Sequence, residues 1–155
     1  MNFRITAYLL GKLAVACAMA LCIPLAISVL YEEENISAFL WAIAWSAGTG
    51  VLFVIGGQRV KDTLTVREGI AVTTLGWVLI TFLGMIPYVA GGYLSVLDGI
   101  VETISGLSGT GATVIDDIES LPHSLILWRS FTHWFGGLGI IVIFIVLFPR
   151  FGRGA

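Results

Sequence analysis

Four long apolar stretches constrain the fold of this chain more than any other feature. They cover residues 9–30, 36–55, 69–90 and 125–148. As an α-helix, each is long enough to cross a hydrocarbon core of about 30 Å, which takes roughly 20 residues. The chain is 57% hydrophobic and only 12% charged, whereas soluble domains carry about 25% charged residues. We therefore predict an all-α integral membrane protein with four transmembrane helices.

The charged residues predict how the chain is threaded through the membrane, because Lys and Arg collect on the cytoplasmic side. An inward-facing N-terminus places seven of the eight basic residues there: Arg4, Lys12, Arg59, Lys61, Arg67, Arg150 and Arg153. Of the ten acidic residues, only Asp62 and Glu68 then face inward. This distribution predicts a multi-pass protein of the cytoplasmic (inner) membrane with both termini in the cytoplasm.

A shorter helical pattern, residues 95–107, lies between the third and fourth stretches. Ser95 and Asp98 resemble a capping box, which satisfies free backbone N–H groups at the start of a helix. An apolar face at helical spacing follows, formed by Leu97, Ile100, Val101, Ile104 and Leu107. We interpret Asp98 and Glu102 as stabilising the N-terminal half of this helix rather than contacting an ion. The pattern is too short to cross the bilayer.

The next segment, "SGTGATV" (residues 108–114), breaks the helical pattern. Its glycines permit backbone conformations that other residues avoid. A half-length helix followed by an irregular glycine-threonine segment is typical of a re-entrant pore loop. Non-helical chain at membrane depth must be buried in protein or line water, and its carbonyls can replace the hydration shell of a cation. The alternative is an ordinary surface loop, and composition alone favours neither.

Charged residues flank this segment on the outer side. Asp116, Asp117 and Glu119 would draw cations toward the mouth of a pore. Arg129 is the exceptional basic residue on that side, and two interpretations are open. It either holds the loop rigid by pairing with carboxylates such as Asp116 or Glu119, or it reaches lipid headgroups. We favour the pairing.

A glycine run in the last stretch, at positions 136, 137 and 139, also has two interpretations. It removes side chains where the helix packs closely against the neighbouring pore helix, or it forms a hinge. Close packing explains the run at least as well as a hinge does.

Proteolysis is the weakest functional alternative. The "GLSG" sequence fits the pattern around the serine of rhomboid-type intramembrane proteases, and His123 and His133 lie nearby. Such a site needs Ser108 near the start of a spanning helix and within reach of a histidine on another helix. A polar loop with Pro122 follows the serine instead. The sequence has no metal-site spacing, nucleotide-binding loop or basic nucleic-acid patch, so we predict no enzymatic activity, no cofactor and no nucleic-acid partner.

The segment "GLSGTGATVIDDIESLPHSLILWRSFTHWFGGLGIIVIFIVLFP" resembles the first pore repeat of the Trk/Ktr/HKT potassium transporters, above all the bacterial TrkH-type subunit. The filter "TGAT", the linker "IESLPHS", the helix start "WRS" and the glycine-rich run occur in the family's order. The resemblance extends to the N-terminal part, where such subunits carry two extra helices. It implies two N-terminal transmembrane helices in residues 1–58 and the first pore repeat in residues 59–155. The repeat would contain helix 69–90, pore helix 95–107, filter 108–114 and helix 125–148.

The resemblance implies potassium uptake, with potassium as the transported ion. The implied ligands are backbone carbonyls of one quarter of a selectivity filter, from Gly109, Thr110, Gly111, Ala112 and Thr113. Potassium would bind at Thr110 and Gly111, and Gly111 occupies the position of the glycine that favours potassium. TrkH-type filters usually carry threonines where Ser108 and Gly109 stand, so the outer site departs from the family pattern.

Family members enclose one pore with four repeats, and this sequence contains one. We expect a leading part of a longer or split polypeptide, or a homo-oligomer resembling simple potassium channels. The two N-terminal helices favour the first, because a full subunit carries them once. The resemblance also implies a cytoplasmic nucleotide-binding regulatory subunit as a partner. The alternative function is an incomplete or regulatory fragment that does not conduct alone. Channel-like transport and ion-coupled transport both stay open.

Overall fold

A computed structural model describes residues 3–57 and 66–151, and every regular element in these ranges is helical. The helices are α1 (Phe3–Leu30), α2 (Ile36–Gly56), α3 (Val66–Gly84), α4 (Ile86–Ala90), α5 (Val96–Ser108) and α6 (His123–Phe151). Three described segments are long and apolar enough to cross a membrane: Phe3–Leu30, Ile36–Gly56 and Arg67–Ala90. The expected all-α membrane protein is therefore confirmed.

Parts of the predicted topology lie outside the described residues. The basic residues Arg59, Lys61 and Arg153 do so, as do Asp62 and the predicted boundary at residue 58. The fourth predicted span lies within α6, whose side chains are described through Gly139 and at Ile141. The number of membrane crossings therefore stays a prediction.

The first two helices form a hairpin joined by residues 31–35. They approach closely where their side chains are small: a Cβ added to Gly11 would lie 2.8 Å from the carbonyl oxygen of Gly50. The Ser28 hydroxyl donates a 2.6 Å hydrogen bond to Asn35 Oδ1 across the turn. Helix α1 also packs against α3 and α6. One core therefore joins the hairpin to the later helices, through Ala14, Cys17, Leu21, Phe39, Ala42, Leu83, Tyr88, Leu125 and Trp128.

The third apolar stretch is interrupted where a single helix over residues 69–90 was expected. Helix α3 ends at Gly84, and α4 begins at Ile86. The cause is Pro87, which has no N–H group and whose ring crowds the carbonyl four residues earlier. The Trp128 indole Nε1 donates a 2.9 Å hydrogen bond to the Gly84 carbonyl. This satisfies a backbone acceptor that the interruption leaves without its regular helical partner.

Helix α5 begins as the capping pattern predicts. The Ser95 hydroxyl accepts a 3.3 Å hydrogen bond from the Asp98 N–H and donates a 2.6 Å bond to the Asp98 carboxylate. The face of α5 that packs within the chain, however, is mainly small and polar: Gly99, Glu102, Thr103, Ser105, Gly106 and Leu107 are buried. The apolar side chains of Leu97, Val101 and Ile104 are 74%, 46% and 49% exposed. Helix α5 therefore turns much of its apolar face away from the rest of the described chain.

Candidate functional site

A non-helical segment begins at the C-terminal end of α5 and reaches α6. Its first turn is set by Gly109 and Gly111, whose φ angles are +70° and +73°. Residues other than glycine rarely adopt this left-handed backbone conformation. A Cβ added to either glycine would meet no atom within 4 Å. Backbone conformation, rather than space within the described chain, therefore favours glycine at both positions.

The predicted ligand residues 109–113 are all exposed in this chain. Their carbonyls do not share one environment. The Ala112 carbonyl accepts a hydrogen bond from the buried Ser105 hydroxyl of α5. The Thr110 hydroxyl lies 2.7 Å from the Ser108 hydroxyl. The five predicted residues thus lie in one exposed segment, and a hydrogen bond from Ser105 links Ala112 to α5.

A buried glutamate holds the C-terminal end of residues 108–114. Glu102 projects from the middle of α5 and is 1% exposed. Its Oε2 accepts a 2.9 Å hydrogen bond from the Thr113 hydroxyl and a 3.1 Å bond from the Val114 N–H. Its Oε1 accepts a 2.6 Å bond from Nε of Arg129 on α6. Glu102 thus joins α5, the loop and α6 at one point.

This geometry corrects two interpretations of the sequence. Glu102 does not act within the first half of its helix, because its carboxylate contacts the loop and α6. Arg129 does hold the loop, but through Glu102. Among the described residues, no ion pair joins Arg129 to Asp116 or Glu119, and both acidic residues are exposed. Sequence spacing could not reveal the Glu102–Arg129 contact, since 27 positions separate the two residues. The signal available in the sequence was a carboxylate among the small residues of α5, which indicates a buried charge that needs a partner.

Close packing between α5 and α6 fixes the base of the loop. A Cβ added to Gly136 would lie 2.1 Å from the carbonyl oxygen of Leu107, whereas one added to Gly137 would meet nothing within 4 Å. A Cβ on Gly106 would likewise lie 2.4 Å from the Thr132 hydroxyl. The expected close packing of the glycine run against the preceding short helix is therefore confirmed at Gly136, which contacts α5.

A second carboxylate holds the other end of the connection, at the start of α6. The Glu33 carboxylate accepts hydrogen bonds from the Ser124 hydroxyl and, at 3.3 Å, from the Ser124 N–H. Asn35 donates a 2.8 Å bond to the same hydroxyl. His123 stacks on Tyr31 with ring centroids 4.5 Å apart, and its Nδ1 lies 3.4 Å from Glu33 Oε1. The α1–α2 turn thus caps α6, a contact that the sequence analysis missed.

The residues of the protease alternative do not form a nucleophile–base pair. The Ser108 hydroxyl donates to the Ser105 carbonyl at 3.3 Å and contacts Thr110. The buried Nε2 of His133 has no hydrogen-bond partner in the described chain. His123 pairs with Glu33 instead. Proteolysis therefore finds no support in the geometry around Ser108.

Known proteins similar to this chain are transport proteins. Residues 32–155 match the model of the TrkH family, described as cation transport proteins. The chain is 32% identical to the Trk system potassium uptake protein TrkH of Halomonas elongata, over 99% of this chain and 32% of that protein. It is 31% identical to an uncharacterized cation transporter of Methanocaldococcus jannaschii, over 96% of this chain and 31% of that protein.

A solved structure gives the same relationship. The crystal structure of the potassium transporter TrkH from Vibrio parahaemolyticus matches with a TM-score of 0.91 and 29% identity, over 99% of this chain and 33% of that chain. The chain thus spans about a third of the length of these relatives. It belongs to the TrkH family of cation transport proteins, which are transporters rather than enzymes.

Proposed function

We propose that this chain supplies one quarter of the selectivity filter of a potassium-uptake protein in the cytoplasmic membrane. Backbone carbonyls within residues 109–113 bind the ion, apart from that of Ala112, which accepts a hydrogen bond from Ser105, and potassium passes Thr110 and Gly111. The observation that carries the proposal is the exposed non-helical segment with two left-handed glycines directly after α5. Exposed backbone of this kind at membrane depth requires water or an ion beside it.

Electrostatics support a cation at this position. The C-terminal end of α5 carries a partial negative charge of about half an elementary charge, and the filter segment begins there. Asp116, Asp117 and Glu119 are all exposed in the outer connection and raise the local concentration of cations. Several features of the outer side thus favour positive charge there.

The proposed topology has four transmembrane helices and one re-entrant pore helix with its filter loop. Residues 1–58 form the N-terminal hairpin, and residues 59–155 form the first pore repeat. The interrupted α3–α4 segment and α6 are the two spanning helices of the repeat, and α5 is its pore helix. Both termini face the cytoplasm. The distribution of basic residues in the sequence supports this orientation.

A complete pore requires further repeats, from the same longer polypeptide, a split chain or a homo-oligomer. The exposed apolar side chains of Leu97, Val101 and Ile104 support this requirement, since they and the loop provide a surface for neighbouring repeats. The length of the relatives favours additional repeats in one polypeptide. A cytoplasmic nucleotide-binding subunit is the proposed regulatory partner. A single copy of the chain does not enclose a pore.

The test is the substitution Gly111→Ser in the complete four-repeat assembly, produced in bacteria that lack their own potassium uptake. A side chain at φ +73° strains the loop, so we expect the preference for potassium over sodium to fall by about tenfold, or about 1.4 kcal/mol. Flux is measured with each ion at equal amounts of protein in the membrane.

The matched control is Gly92→Ser. Gly92 has a φ of +76° and open space around it, but it lies in the turn between α4 and α5. The substitution introduces the same backbone strain away from the proposed filter, so the preference for potassium over sodium should not change. An unchanged preference in Gly111→Ser would contradict the filter assignment.

A further inference from the structure

We infer that Glu102 is the positioning residue that directs the Thr113 carbonyl toward the ion path and thereby sets ion preference. This inference rests on the proposed function, because it presumes that the loop is a filter. It adds a residue of α5 that does not itself contact the ion. The contacts of Glu102 with the loop carry the inference.

The Glu102 carboxylate is matched to its surroundings as a pure acceptor. The Thr113 hydroxyl and the Val114 N–H donate to one of its oxygens, and Arg129 donates to the other. A carboxylate without a proton accepts all three bonds. The charge of Arg129 compensates the negative charge inside the protein. Because Glu102 is 1% exposed, water cannot readily replace any of these contacts.

The bond to Val114 fixes the direction of a neighbouring carbonyl. The Val114 N–H and the Thr113 C=O belong to one peptide unit, which is planar and trans, so the two groups point in opposite directions. The N–H points to Glu102, in the interior between α5 and α6. The Thr113 carbonyl must therefore point away from that interior.

The preceding peptide unit has the opposite arrangement. The Ala112 carbonyl accepts its bond from Ser105 on α5, so it points toward the helix. The Thr113 hydroxyl, which donates to Glu102, also accepts a 3.1 Å bond from the Ile115 N–H. Glu102 and Ser105 together therefore determine which of two successive carbonyls is available to an ion, and they select that of Thr113.

Loss of this constraint should change how well the protein discriminates between ions, whereas the loop should still form. A carbonyl that can rotate can adjust its distance to ions of different size, and the number and placement of carbonyls distinguish potassium from sodium. A residue that only stabilised the fold would change the amount of protein in the membrane and leave this ratio unaltered. The potassium-to-sodium flux ratio therefore separates the two roles.

The experiment is Glu102→Gln in the complete assembly, compared with Asp98→Asn. Glutamine keeps the shape but has one acceptor oxygen, so its NH₂ group faces a donor on either the loop or Arg129. Residues that position the ligands of metal sites typically contribute about 10–100-fold to affinity or activity. We expect the potassium-to-sodium flux ratio to fall by about tenfold. Asp98→Asn removes the same charge from the same helix, but the Asp98 carboxylate bonds to Ser95, so the ratio should stay at its original value.

A second variant keeps the inference testable if Glu102→Gln fails to reach the membrane. Glu102→Asp retains the charge but shortens the side chain, so it cannot keep all three contacts, and we expect a smaller fall of the ratio, about threefold. If either variant keeps the potassium-to-sodium flux ratio of the original protein at equal protein amount, the inference is overturned. If Gly111→Ser lowers the ratio while the Glu102 variants do not, only this inference fails. If Gly111→Ser also leaves it unaltered, the filter assignment fails.

Discussion

Two carboxylates hold the segment between α5 and α6: Glu102 in the interior, and Glu33 at the rim formed by the α1–α2 turn. Glu102 accepts bonds from a backbone N–H and a hydroxyl, those of Val114 and Thr113. Glu33 does the same with the N–H and hydroxyl of Ser124. Each also has a basic neighbour on α6. The same chemistry thus holds both the proposed filter loop and the start of the helix that follows it.

The two junctions differ in how the charge is balanced. The interior carboxylate lies 2.6 Å from an arginine whose side chain is 19% exposed. The rim carboxylate lies 3.4 Å from a histidine whose side chain is 67% exposed. A charge without water needs a permanent partner, and arginine is always charged. At the rim, the Glu33 side chain is 9% exposed, and its carboxylate accepts its other bonds from the neutral N–H and hydroxyl of Ser124. The interior junction should therefore be the more sensitive to substitution.

Removal of the interior partner should have the largest effect on stability. Arg129→Ala leaves the Glu102 charge buried and uncompensated, and we expect a loss of about 3 kcal/mol. Thermal unfolding of the purified protein in detergent measures it. Arg129→Lys keeps the charge without the guanidinium geometry and should lose less. A melting temperature unaltered in Arg129→Ala would show that the interior charge needs no partner.

Displacement of α5 from α6 tests the same junction without altering a charge. Gly136→Ala places a Cβ against the Leu107 carbonyl, so the helices must separate, and we expect a loss of about 2 kcal/mol from overpacking. Gly137→Ala is the matched control, because its Cβ meets no described atom within 4 Å. Equal melting temperatures of the two variants would contradict the close contact at Gly136.

The rim junction should respond least. Ser124→Ala removes the hydroxyl that bonds to Glu33 and Asn35 but keeps the N–H of residue 124. We expect a loss of about 1 kcal/mol and an unaltered ion preference. Ser120→Ala removes a hydroxyl whose bond is local, to the Asp117 carbonyl, and controls for serine loss in this connection. If Ser124→Ala were as damaging as Arg129→Ala, the proposed difference between rim and interior would be wrong.

Sequence patterns were most informative about features that depend on near neighbours. The capping pair Ser95 and Asp98 was predicted because helix starts follow local rules. The third apolar segment, Arg67–Ala90, is long enough to cross a membrane as predicted, but its helix is interrupted before Pro87, and a proline inside an apolar run is a readable signal of such an interruption. The contacts of Glu102 were missed because they join residues 11, 12 and 27 positions apart, beyond the reach of helical periodicity.

The amino-acid sequence by itself determined that the chain belongs in a membrane, where the irregular glycine segment lies, and which family it resembles. These depend on apolar length, glycine backbone freedom and motif order, all of which are properties of the linear chain. Only the tertiary structure decided which face of α5 turns inward and which carboxylate receives Arg129. The reason is physical: burial of a charge is tolerated only where donors converge on it. That convergence exists only once α5, the loop and α6 have packed together.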